Sequence, residues 1–288
     1  MMKKIILSNI IIIIFINSLF SQVFSDYLYT GYEAVTSAGS VVAKEGGGSS
    51  PFHNPSGLAE INTLQINTGY SNLFNLHFLP YSNWSMLLPT NFGNIGFSYQ
   101  GISVEYQGNK LITEQAIGFS QGFYAQNDRN STLSIGYTVN YLYINQGETI
   151  TGEKLGSDGT VGLDLGIQAT FRERHRIGAF IKNINNPSIS DSFLPKRLNI
   201  GMAYSPYHGV MTSFTVSRLF GSSSTQYMSS LNYDVNKILS LSTGFQSNPN
   251  RIGAGFQLYL KNYEFGYGLL THHVMPITHQ ISFGLRVD

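Results

Sequence analysis

The sequence predicts an all-β fold, a closed transmembrane antiparallel β-barrel of about 14 strands. Three observations carry that expectation. Apolar and polar residues alternate with period two along successive segments. After Phe20 no apolar run approaches the roughly 20 residues that a membrane helix needs. Charged residues make up 11% of the chain, against a usual ~25%, while aromatics reach 13% and glycines number 30. A chain of this kind can satisfy its backbone in a bilayer only by closing its strands into a barrel.

Taken in order, the chain opens with Met1, Met2, Lys3 and Lys4, then an apolar run from Ile5 to Phe20 and the small residue Ser21. That order is the order of a secretory signal peptide, expected to occupy residues 1–21 and to be cleaved. Ser8, Asn9, Asn17 and Ser18 interrupt the run too often for a membrane anchor. The chain has no cysteine, which excludes a disulfide framework and a thiolate metal site.

Candidate strands follow at 64–70, 83–88, 94–100, 115–123, 131–144, 160–171, 176–183, 197–204, 210–218, 226–234, 239–246, 251–260, 263–270 and 278–287. Two show the pattern best. In the fifth, Leu133, Ile135, Tyr137, Val139, Tyr141 and Tyr143 alternate with Ser134, Gly136, Thr138 and Asn140. In the sixth, Val161, Leu163, Leu165, Ile167 and Phe171 alternate with Gly162, Asp164, Gly166, Gln168 and Thr170. The apolar set faces lipid and the polar set the lumen. On that assignment Leu163→Arg costs about 2–4 kcal/mol and the lumen substitution Gln168→Arg little. Tyr141, Tyr143, Phe171, Tyr204, Tyr259 and Tyr263 suit aromatic girdles at the two interfaces.

Long links at 71–82, 101–114, 145–159 and 184–196 alternate with short ones such as 89–93 and 172–175, as outer loops alternate with periplasmic turns. An even strand count then leaves both termini in the periplasm. The cellular address is the outer membrane of a Gram-negative-type bacterium, with barrel lipid as the surrounding partner.

Before the first strand lie residues 22–62, far longer than a lead-in requires. They contain Gly46, Gly47, Gly48, Ser49, Ser50 and Pro51, then Asn54, Pro55, Ser56, Gly57, Leu58 and Ala59. Inward glycines at 96, 118, 136, 162, 166, 178, 201, 253, 255 and 284 leave room for another backbone, or for strand curvature. The stretch from Asn54 to Ala59 resembles the Asn-Pro-Ala-Gly-Leu-Ala signature of FadL-like and PorV/PorQ-like outer-membrane barrels, with Ser56 in place of the alanine. The resemblance implies fourteen strands and an N-terminal hatch folded into the lumen, with Asn54, Pro55, Gly57 and Leu58 as its motif. The domain plan is then a signal peptide at 1–21, a plug at 22–62 and a barrel at 63–288.

Residues for other chemistry are sparse. A formal charge of +1 without a basic stripe argues against nucleic acid. His272 and His273 are adjacent on a loop without a carboxylate, a poor metal shell, and His279 starts the last strand. Asp164 and His175 have nothing that places them together, so no catalytic residue, metal or cofactor site is expected and the chain is read as no enzyme. The turn from Arg172 to Arg176 reads as solvated. Three functions remain. The resemblance implies a transport component for hydrophobic small molecules, with the inward Phe180 as a candidate ligand contact. It also implies, as an alternative, a PorV/PorQ-like accessory of type IX secretion that binds secretion-machinery proteins. The third is a structural barrel without a ligand.

Overall fold

The computed structural model describes residues 27–44, 46–106, 108–148 and 155–287. The signal peptide expected at 1–21 and the first residues of the expected plug lie outside them. Among the described residues no helix is long and apolar enough to cross a membrane, which bears on helices alone.

Fourteen strands close into one antiparallel barrel: β1 (Leu64–Asn72), β2 (Pro80–Leu88), β3 (Asn94–Tyr106), β4 (Asn109–Asn127), β5 (Ser131–Asn145), β6 (Ser157–Phe171), β7 (His175–Lys182), β10 (Arg197–Tyr207), β11 (Val210–Leu219), β12 (Thr225–Asp234), β13 (Leu239–Ser247), β14 (Arg251–Leu260), β15 (Tyr263–Leu270) and β16 (Thr278–Val287). Two short strands, β8 (Ser188–Ile189) and β9 (Ser192–Phe193), form a hairpin in the link between β7 and β10. Consecutive barrel strands pair, and β1 closes on β16 with Thr68 opposite Phe283.

Register follows the alternation. Between β5 and β6, Ile135 pairs with Ile167 on the outer face, while Gly136 pairs with Gly166 on the inner one. Ile135, Val139, Val161, Leu165 and Ile167 are exposed, whereas Thr138, Asp164 and Gln168 are buried. An outside that is apolar and exposed around an inside that is polar and buried reverses the soluble pattern and fits a lipid solvent. Tyr141, Phe171, Tyr204 and Tyr263 lie exposed toward strand ends. Tyr259 departs from the girdle expectation. It shares the parity of Gln257 and lines an internal cavity, because the outward set of β14 is Ile252, Phe256 and Leu260.

The expected loop at 101–114 is largely strand. β3 and β4 continue pairing past Gly101, with Ile102 opposite Glu114 and Val104 opposite Ile112. The two strands reach Tyr106 and Asn109, so this hairpin projects beyond its neighbours. In β10 the pairing with β11 shifts between Tyr204 and Tyr207, where Pro206 has no backbone N–H for the ladder. Short connections gather at the end of the barrel where β1 starts and β16 finishes, called here the turn end. The links at 73–79, 146–156 and 183–196 gather at the other, the loop end.

Candidate functional site

Inside the barrel lies the segment that precedes β1. It forms α1 (Tyr32–Thr36), α2 (Ser50–His53) and a 3-10 turn (Pro55–Glu60). These elements are too short to hold themselves, since an isolated helix of one turn is unstable in water. Their order comes from the wall around them.

The segment meets the inner face of every barrel strand. Lodged over Gly48, the Asn67 side chain makes the contact from β1, and Ser85 of β2 donates to the Gly48 carbonyl at 2.8 Å. Asn94 of β3 donates to the carbonyls of Leu58 at 2.7 Å and Ile61 at 2.6 Å. Pro55 sits on Gly122 of β4 and Gly136 of β5, while Asn54 covers Gly166 of β6. Val42 faces Gly178 of β7 and Gly201 of β10. Ser213 of β11 donates to the Ser40 carbonyl at 2.9 Å, and Lys44 Nζ donates to Asn232 of β12 at 2.5 Å. Ser37 crosses Gly244 of β13, Val35 crosses Gly253 of β14, and Tyr32 packs on Gly266 of β15. Finally, α1 rests against β16.

Glycine is required where backbone meets backbone. A Cβ on Gly136 would stand 2.4 Å from the Pro55 carbonyl, and one on Gly178 would stand 2.4 Å from that of Val42. Not all of the inward glycines serve this purpose. Gly118 and Gly162 face side chains of the wall and of the β7–β10 link, and Gly284 faces Asn67 and Glu264.

The motif residues each have a place. Asn54 ends α2 in an extended conformation, and its Oδ1 accepts the backbone N–H of Ser56 at 3.3 Å. Its Nδ2 donates to the Val42 carbonyl at 2.7 Å, tying two passes of the segment together. Pro55 opens the 3-10 turn with the fixed φ that such a start favours. Gly57 lies against Gly46, where a Cβ would come 3.3 Å from the Gly46 Cα. Leu58 is fully buried with Ile61 and Leu87. The serine that replaces alanine is also fully buried, and its hydroxyl is satisfied by Asn54 Oδ1 at 2.7 Å. Phe180 points inward and packs on Val42, Ala43 and Ala203, so this residue meets the segment itself.

Polar ties fasten the side that faces the turn end. Glu60 accepts from Arg176 Nη1 at 2.5 Å, from the Gly46 N–H at 2.9 Å and from Gln168 at 3.3 Å. Arg176 is therefore not part of a solvated turn, and Gln168 is not an open lumen position. Gln168 is 2% exposed, and an arginine there would enter the seat beside Arg176. Lys44 donates to Ser37 at 2.5 Å. Burial pulls the Lys44 ammonium down to about 8, against the opposing pull of Glu33. Below these groups, toward the turn end, a cavity of about 870 Å³ is lined by Glu33, Lys44, Glu60, Arg174, Asp234 and Tyr259 among others. Its walls are polar and carry both charges.

The loop end is closed differently. Ile189 and Leu194 of the β7–β10 link are buried against Ala116, Leu142 and Ile144 of the inner wall. His272 accepts backbone N–H groups from Val274 at 3.3 Å and Met275 at 3.0 Å, so this histidine caps its own turn. His279 bonds Tyr267 at 2.7 Å. Asp164 points inward and accepts from Asn140 at 2.7 Å, while His175 stacks on Tyr204, so the structure does not bring the two together.

A closed, outwardly apolar barrel of fourteen strands with a segment packed through its lumen defines the class: an antiparallel β-barrel of the transmembrane type. Solved structures of similar fold include hydrocarbon channels and a FadL homologue. The Ralstonia pickettii toluene transporter TbuX superposes with a TM-score of 0.65 at 12% identity, covering 91% of this chain and 100% of that one. The CymD monoaromatic hydrocarbon channel gives 0.69 at 11% identity, covering 90% and 97%. A Pseudomonas aeruginosa FadL homologue gives 0.56 at 9% identity, covering 90% and 98%. No family model and no curated protein matches the sequence.

Proposed function

We propose that this chain is an outer-membrane transport component for hydrophobic small molecules and that residues 22–62 are its plug. The observation that carries the reading is the seat. A segment touching all fourteen strands obstructs the lumen, yet it is held by short polar ties and three small, separate apolar clusters rather than by one continuous apolar core. Such contacts can exchange for water as the segment shifts. The likeness in fold to channels for toluene and monoaromatic hydrocarbons supports an apolar cargo. Asn54, Pro55, Gly57 and Leu58 then form the hinge-and-seat motif of the plug. Phe180 contacts cargo only once Val42 has moved away.

The remaining assignments belong to the same proposal. Residues 1–21 are removed as a signal peptide, residues 63–288 form the barrel, and the turn end, where β16 finishes, faces the periplasm; Tyr27 packs on Tyr81 at the loop end, so only the C-terminal end is proposed to be periplasmic. The secretion-accessory reading is not adopted. In the link at 183–196, Ile189 and Leu194 turn into the barrel mouth and Phe193 is its one exposed large apolar residue, which leaves little apolar surface there for a protein partner.

Uptake of labelled toluene by Gram-negative cells lacking their own hydrocarbon channel tests the reading. Expression of this chain should raise the rate severalfold without raising uptake of sucrose. Equal acceleration of both solutes would mean an open pore, and no acceleration of toluene would remove the transport assignment.

A further inference from the structure

The cavity below the plug, toward the turn end, has no part in the transport reading. Its volume of about 870 Å³ is many times that of a water molecule, roughly 30 Å³. The charged side chains around it divide into those already engaged and those left free. Glu60 is committed to Arg176, the Gly46 N–H and Gln168. Lys44 is committed to Ser37 and Asn232, and Asn232 in turn donates to Ser242 at 2.6 Å. Ser49 takes one oxygen of Glu33 at 2.5 Å. Asp234, Arg172 and Arg174 line the same cavity and are exposed, and none of the three side chains has an ion pair or a hydrogen bond among the described residues.

The free charges stand on two sides. Arg172 and Arg174 flank Glu173 in the turn between β6 and β7, so that turn carries one net positive charge. Asp234 ends β12 and pairs with Ser240, two residues before the Ser242 that the Tyr32 hydroxyl reaches at 3.4 Å. Glu33 follows Tyr32 on the plug, so the two carboxylates share the second side. Burial, with the fields of Glu33 and Asp234 added, raises the Tyr32 phenol to about 12. Between β7 and β12 lie β10 and β11, which sets the two sides three strand spacings apart, roughly 14 Å along the wall. Side chains reaching inward from both narrow the gap to the length of a small molecule. A cleft walled by protein focuses the field between such charges.

From this arrangement we propose that the cavity is a binding site for a small zwitterion of the size of a dipeptide, its ammonium received by Asp234 and Glu33 and its carboxylate by Arg172 and Arg174. A ligand with one charge compensates one side and leaves the other uncompensated. Carboxylates and guanidinium forks are the partners that the two ends of a zwitterion require. Because Glu33 belongs to the plug while Asp234 and the arginines belong to the barrel, the bound molecule also ties the plug to its wall. The site goes beyond the transport reading and does not depend on it.

Glycylglycine is the probe, titrated by calorimetry into the full-length, detergent-purified barrel at neutral pH and low salt. It should bind about tenfold more tightly than N-acetylglycylglycine, which lacks the ammonium, the loss expected for one charge-assisted contact. The same margin should separate it from glycylglycinamide, which lacks the carboxylate. Asp234→Asn should erase the first preference, and the double variant Arg172→Gln, Arg174→Gln the second. All three side chains are exposed, and heat-modifiable electrophoretic mobility shows that each variant is a folded barrel. Saturating glycylglycine should also slow proteolysis of the plug severalfold in the parent chain and leave it unchanged in Asp234→Asn.

Equal binding of the three peptides, survival of either preference in its variant, or a plug cleaved as fast with the ligand as without it would overturn the site. Toluene uptake is a separate readout, and its absence would remove the transport assignment while leaving the binding result standing.

Discussion

The outer face of β5 and β6 and the inner face of the same two strands are made of alternate residues, yet they answer to different rules. Outside, Ile135, Leu165 and Ile167 touch only their neighbours and solvent, where shape is loosely constrained. Inside, Gly136, Gly166 and Gln168 lie under Pro55, Asn54 and Glu60, where a single added atom has nowhere to go. The lipid face tolerates any apolar residue and rejects charge. The seat of the plug tolerates charge where it is paired and rejects volume. One period-two pattern thus encodes two surfaces, and only one of them is defined by hydrophobicity.

Four substitutions or conditions sharpen that contrast, and the largest effect is expected at the seat. Arg176→Ala leaves Glu60 largely buried beside Gly46, with side-chain exposures of 10% and 17% for the pair before the change. It should cost about 3–5 kcal/mol in a urea melt, as loss of one partner of a buried ion pair does. A cost below about 1 kcal/mol would mean that the pair behaves as a surface bridge.

Next comes the lipid face. Leu165→Arg should cost about 2–4 kcal/mol in bilayers and far less once the outer face is wetted in urea-rich detergent. An equal loss in both solvents would contradict the facing of β6.

Acid should act on the plug and spare the wall. His53 is buried, and its Nε2 lies 2.8 Å from the Thr30 carbonyl, which requires an N–H at that nitrogen. Burial pulls the imidazole down to about 4, so the folded state takes up its proton later than the unfolded chain, whose value is 6.5. The unfolded state binds more protons between these values. Stability therefore falls as pH drops through this window, by at most about 1.4 kcal/mol per unit, and levels off below it. His53→Gln should flatten the slope of melting temperature against pH, and a slope that persists would assign it to another group.

The smallest effect is Gly136→Ala. One methyl against the Pro55 carbonyl should cost about 1–3 kcal/mol. Its signature is faster proteolysis of the plug with an intact barrel. Ile135→Ala, one residue away, should leave that proteolysis unchanged.

The two surfaces were also unequally legible in the sequence. Strand number and facing follow from alternation, because every strand from β1 to β16 in the barrel repeats one simple code. The added length of β3 and β4 was hidden by Gly101 and Gly108, which read as loop residues although the pairing runs through the first and turns at the second. Tyr259 was misread because an aromatic near a strand end suits either a girdle or a vestibule, and only parity with Gln257 separates them. The motif residues stood out, yet their partners did not. Which wall residue meets Ser40 or Lys44 depends on the aperiodic path of the plug, and no local pattern encodes that path. Arg176 carried a usable signal. It shares the inward parity of Gly178 and Phe180, and a charge buried on that face needs a counter-ion, which Glu60 supplies.

Because the chain has no cysteine, the central claim, that movement of the plug admits cargo, can be tested with one engineered bond. Ser40 Oγ and Ser213 Oγ lie 2.8 Å apart, linking the plug to β11. The double variant Ser40→Cys, Ser213→Cys should take up toluene at the background rate when oxidised and recover the rate of the parent chain under reductant. Unchanged uptake by a fully oxidised protein would contradict the account and place the route of cargo outside the seat of the plug.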